Sequence, residues 1–88
     1  MNKQKISLID LKDGQLATIV GVHGGAEVKK RLEALGVRLG KSISKMHGHF
    51  RHGPVTVKIG HTQLAIGHGM AAKIIVDLPA GRQGLNNA

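Results

Sequence analysis

At 88 residues the chain has room for one domain, and without cysteine it excludes a disulfide framework or a thiolate metal site. Its 13 Lys and Arg against 5 Asp and Glu give a formal net charge of +8, a field that favours anionic partners without choosing between nucleic acid, an acidic membrane surface and an acidic protein. Phe50 is the only Phe, Tyr or Trp, which excludes the aromatic stacking platform on which single-stranded nucleic acid binders hold bases.

The N-terminal stretch Met1 to Ser7 is basic, but no apolar run of signal-peptide length follows it. No segment approaches the roughly 20 apolar residues of a transmembrane helix, so a cytoplasmic protein is expected. Ser7 to Leu11 reads as one short helical turn capped by Ser7. Asp13-Gly14 is a turn signal, and Leu16 to Val22 is a first strand, rich in branched residues and apolar on both faces. Gly24-Gly25 breaks it. From Ala26 to Leu35 the period becomes helical, with Val28, Leu32 and Leu35 on one stripe and Lys29, Lys30 and Glu33 pointing elsewhere. Glu27 suits the positive end of the helix dipole. Gly36 is the expected C′ glycine, since it takes a left-handed conformation without Cβ strain.

Strands resume after Gly40. Ser42 to Met46 alternates poorly, whereas Val55, Thr56, Val57, Lys58 and Ile59 place three branched residues on one face. Gly60-His61 is a tight turn into Thr62 to Ile66, with Leu64 and Ile66 inward. Gly67-His68-Gly69-Met70 reads as a second break, and Ala72 to Leu78 as the last strand. The expected organisation is a single domain over residues 1–78 and a disordered tail over residues 79–88, which is small, polar and Gly-rich. Five short strands and one helix suit a small, partly open antiparallel barrel. Its expected core includes Ile19, Val28, Leu32, Leu35, Val57, Leu64, Ile66 and Ile74.

Three constellations carry candidate chemistry. Gly36 to Ser42 resembles a phosphate-binding loop, but Leu35 stands where the first glycine is required. The segment also runs from helix to strand, which points no helix N-terminus at a phosphate. Met46 to Gly53 carries His47, His49 and His52, and imidazole is the commonest metal ligand near neutral pH. No Cys or carboxylate adjoins the cluster and Arg51 repels a cation, so His47, His49 and His52 are weak metal candidates, with His61 or His68 needed to complete a site. Lys29, Lys30 and Arg31, with Arg38 just beyond, make a basic helix face that is a candidate partner surface. There is no Cys nucleophile, no Ser in a nucleophile-elbow context, and the five carboxylates are spread over the N-terminal segment, the helix and the last strand, so no enzyme activity and no cofactor are expected.

Read together, these pieces resemble a known family. Leu11-Lys12-Asp13-Gly14-Gln15 with Ala17-Thr18-Ile19, then Gly24-Gly25 with Arg31-Leu32-Glu33-Ala34-Leu35-Gly36-Val37 and Gly40, resemble the FeoA family, ferrous iron transport protein A. Pro54 to Ile59, Leu64 to Ala71 and Ile74-Ile75-Val76 resemble its C-terminal half. The resemblance implies an SH3-like barrel of about five antiparallel strands, with one helix inserted after the first. It also implies a free-standing cytoplasmic accessory of the FeoB-type ferrous iron transporter, peripheral to the membrane only through that partner. The same module occurs in metal-dependent repressors. Binding of a small basic barrel to nucleic acid and a metal-sensing module stand as alternatives, specific nucleic acid binding is not expected, and a homo-oligomer remains open.

Overall fold

Short runs of β-branched residues separated by turns build a six-stranded antiparallel sheet, described in a computed structural model over residues 4–47 and 53–78 apart from the His47 side chain. The strands are β1 (Gln4–Ser7), β2 (Leu16–Val22), β3 (Ser42–His47), β4 (Val55–Ile59), β5 (Thr62–Ile66) and β6 (Ile74–Leu78). Helix α1 (Ala26–Ala34) lies between β2 and β3, and α2 (His68–Ala72) between β5 and β6. Strands β2 to β5 run as consecutive neighbours, while β6 returns to pair with both β2 and β1, giving the order β1-β6-β2-β3-β4-β5. The expected mainly β architecture is therefore present, with β1 as a sixth strand.

The expected turn follows β1 as a 3-10 turn over Leu8–Asp10. Ser7 caps it, its Oγ accepting a 3.4 Å hydrogen bond from the Ile9 amide. The same Oγ donates to the Ala72 carbonyl at 3.0 Å, tying the end of β1 to α2. Gly67 to Met70, expected as a break, instead leads into α2, and the last strand starts at Ile74 rather than Ala72. Residues 79–88, expected as a tail, lie outside the described residues.

The hydrophobic alternation behaves as strand geometry requires. On β4, Val55, Val57 and Ile59 all face the core, and the two-residue turn at Gly60-His61 sets Ile59 opposite Thr62. Of the expected core, Ile19, Leu32, Val57, Ile66 and Ile74 are buried, while Val28 and Leu64 are half-buried against it. Leu35 is a correction, since it is 46% exposed. The helix ends one residue before it, and Val37 fills the core position instead.

Candidate functional site

The exit of α1 shows why Leu35 is displaced. Gly36 has φ +98°, and the chain turns back in a Schellman motif. The Gly36 amide donates to the Glu33 carbonyl and the Val37 amide to the Leu32 carbonyl, both at 2.9 Å. That closure stacks Val37 on Leu32, both buried, and leaves Leu35 on the surface.

The next four residues form a β-turn. The Lys41 amide donates to the Arg38 carbonyl at 3.2 Å, and Gly40 occupies the third position with φ +88°, the conformation a type II turn demands there. Leu39 is the corner of this turn and is 67% exposed, the highest value among the large hydrophobic side chains in the described residues. The turn is pinned to β2 by two bonds. The Gly40 amide donates to the Ile19 carbonyl at 2.8 Å, and the Ile19 amide donates to the Lys41 carbonyl at 2.9 Å.

Strand β2 is irregular at this point. Ile19 pairs with Val76 and Gly21 with Ile75, so Val20 is an extra residue relative to β6, a β-bulge. Bulges re-aim side chains and interrupt the ladder. Val20 accordingly faces outward and is 37% exposed. Between the bulge, the Leu39 turn and α1 lies a cleft of about 320 Å³. Val20, Gly21 and Val22 form one side, with Val37 and Leu39 across from them. Lys29 and Glu33, one helical turn apart on α1, and Arg38 supply its polar lining. A shallower depression of about 210 Å³ lies on the other side of Arg38, between Leu35, Lys41 and the Ile59–Thr62 turn. Arg38 is thus the ridge between two hollows.

Of the expected partner surface, Lys29 lines the cleft, whereas Lys30 and Arg31 are exposed on α1 but do not line it. Sequence reading missed Val20 and Leu39. The available signal was the apolar character of β2 on both faces, since Val20 belongs to the face that points away from Ile19. Of the metal candidates, His47 ends β3, and His49 and His52 lie outside the described residues. Among the described residues no three His or carboxylate side chains converge on a point that could hold a metal ion. Among the same residues no helix is long and apolar enough to cross a membrane.

An antiparallel sheet with a helix inserted at this bulged strand defines a small SH3-like β-barrel protein. Within that class the chain belongs to the FeoA family, whose domain matches residues 6–78. A Campylobacter jejuni protein carrying the name Fe(2+) transport protein A is 30% identical over 73 residues, which cover 83% of this chain and 99% of that protein. The crystal structure of an iron uptake regulatory protein, FeoA, has a TM-score of 0.79 at 26% identity and covers 85% of this chain and 100% of its own. A manganese-dependent transcriptional repressor shares the fold, with a TM-score of 0.79 at 16% identity over 90% of this chain and 44% of that one. Family membership connects the chain to ferrous iron transport.

Proposed function

We propose that this protein is a non-enzymatic, cytoplasmic accessory of ferrous iron uptake that binds the cytoplasmic part of a FeoB-type transporter through the basic face of α1. The observation that carries the reading is the FeoA match over residues 6–78. The exposed Lys29, Lys30 and Arg31 supply a surface for it. A positive face on a chain of net charge +8 speeds encounter with an acidic partner and fixes its orientation more than it adds affinity. One face of a barrel this small offers roughly 800 Å² to an interface, enough for a regulatory contact of micromolar strength.

Titration calorimetry against the cytoplasmic domain of the transporter from the same organism tests the reading. Binding is expected, and Lys29→Glu with Lys30→Glu should slow association and flatten its salt dependence. Both side chains are exposed, so the fold is expected to persist. No binding at high protein concentration and low salt would remove the reading. Nanomolar, sequence-selective binding to nucleic acid at physiological salt would replace it with the alternative of a nucleic-acid-binding barrel.

A further inference from the structure

Strand β5 is one outer strand of the sheet, and among the described residues only β4 pairs with it. The turn before it decides which of its main-chain groups are left over. Gly60, with φ +62°, and His61 form a two-residue turn, and such a turn closes on a hydrogen-bonded pair. Hydrogen-bonded and non-hydrogen-bonded pairs then alternate along the hairpin. Ile59–Thr62, Val57–Leu64 and Val55–Ile66 therefore exchange their bonds inside it, while Gln63 and Ala65 turn their N–H and C=O groups away from β4. No hydrogen bond among the described residues reaches those groups from elsewhere. Both side chains are exposed, and Leu64 between them is half-buried. An edge of this kind is a template for another strand unless charge, proline or a bulge blunts it. The opposite edge, β1, carries the exposed Lys5. β5 has no charged residue and no proline, and its register with β4 is unbroken.

We propose that β5 is a self-association edge, on which a second copy of this chain lays its own β5 antiparallel to form a reversible dimer. The inference goes beyond the transporter reading and does not depend on it. The edge is its own complement. With a two-fold axis at Leu64, Gln63 faces Ala65 of the second copy and Ala65 faces its Gln63, and each pair exchanges both main-chain hydrogen bonds. Leu64 then meets Leu64 of the second copy at the closely spaced position between those pairs, which covers the exposed part of both side chains. A two-fold contact also closes on itself and stops at two copies. The net charge of +8 opposes association at long range. At the edge itself the opposition is small, because Lys58 is the only charged side chain on β4 and β5. The Lys58 residues of the two copies are three strand spacings apart, at least about 14 Å, which exceeds the Debye length of about 8 Å at physiological salt. An extended segment of another protein would find the same hydrogen-bonding groups, but no charged side chain on the strand to select it.

Sedimentation equilibrium of the full chain, with amide exchange read residue by residue, tests this. A dimer is expected to form as the chain passes from micromolar to millimolar concentration. It should tighten as salt is raised, because screening removes the repulsion between copies. The amides of Gln63 and Ala65 are expected to exchange freely in the dilute chain and to become protected as it dimerises. Those of Thr62, Leu64 and Ile66 should be protected throughout. Gln63→Lys with Ala65→Lys sets like charges opposite each other in both pairs and is expected to weaken the dimer by roughly tenfold. Adding a chain with Gln63→Glu and Ala65→Glu should restore association as a mixed dimer, a rescue specific to this register. Both positions are exposed, and an unchanged Tm confirms that the fold is retained. A chain that stays monomeric at millimolar concentration and high salt overturns the proposal. So does a dimer that is indifferent to the paired lysines, since another surface then joins the copies, or one that loosens with salt, since the contact is then ionic. Protection of Gln63 and Ala65 at every concentration would show that the chain covers its own edge. Protection gained only on adding the cytoplasmic domain of the transporter would assign the edge to that partner, and either result removes the self-pairing.

Discussion

The two helices inserted into the sheet use their residues in opposite ways. α2 is five residues long and tied into the fold, with Ala71 fully buried and the Ala72 carbonyl bonded to Ser7 Oγ. α1 is nine residues long and fully buries only Leu32, while Lys29, Lys30, Arg31 and Glu33 face solvent. One insertion completes the barrel, and the other is a platform fixed at a single deep anchor. The contrast indicates that surface chemistry, rather than core volume, accounts for the composition of α1. It also fits the position of Leu39, the most exposed large apolar side chain among the described residues, which follows α1 and not α2.

The most forceful way to break this contrast is to remove the anchor. Leu32→Ala should cost about 2–5 kcal/mol, as truncation of a buried leucine does. In a domain of this size that is a large share of the total, so Tm should fall sharply and denaturant midpoints with it. If Leu32→Ala melts like the unsubstituted chain, α1 is held by something other than that side chain.

A milder change separates the helix from its exit. Gly36→Ala meets no atom within 4 Å of the new Cβ, so its cost comes from the φ of +98° alone. About 1–2 kcal/mol is expected for a residue with a Cβ in left-handed space. The loss should appear as a lower unfolding midpoint, and a neutral result would show that the Schellman turn relaxes freely.

The smallest effect is expected at the tether of α2. Ser7→Ala removes both the donor to the Ala72 carbonyl and the cap of the 3-10 turn, and should cost about 1 kcal/mol. Faster amide exchange at Ala71 and Lys73, with α1 unaffected, would confirm that the tether serves α2. Equal acceleration in both helices would erase the distinction between them.

Most of the strand framework was legible because it rests on local signals. Leu16–Val22, Val55–Ile59 and Thr62–Ile66 carry branched residues bounded by turn residues, and Gly36 marks the helix stop through its missing Cβ. β1 was not legible. Its four residues, Gln4 to Ser7, include one apolar side chain, Ile6, and its place depends on pairing with β6 more than 60 positions away. α2 is too short to show a period, and its Gly69 argues locally against a helix. Leu35 fell on the apolar stripe of a continued helix, and only the backward turn at Gly36 reassigns that role to Val37. The candidate cleft was the least legible part. Its walls come from β2, α1 and the following turn, and nothing local indicates which face of an apolar strand will be left uncovered.

The bulge at Val20 also divides β2 into two reading frames. Before it, the odd-numbered residues Ala17 and Ile19 point to the core; after it, Val22 takes the inward place opposite Ile74. The strand therefore carries a phase slip, and its two halves answer to different constraints. Substitutions before the slip are judged by the fit of the interior. Those at the slip are judged by whatever touches the outside, so Val20 can change without being vetoed by its neighbours in the core. Deleting that one residue would restore an unbroken alternation and, in the same stroke, remove one wall of the cleft. An insertion that looks like a defect in pairing thus acts as an adjustable joint between a barrel that must stay constant and a surface that is free to diverge.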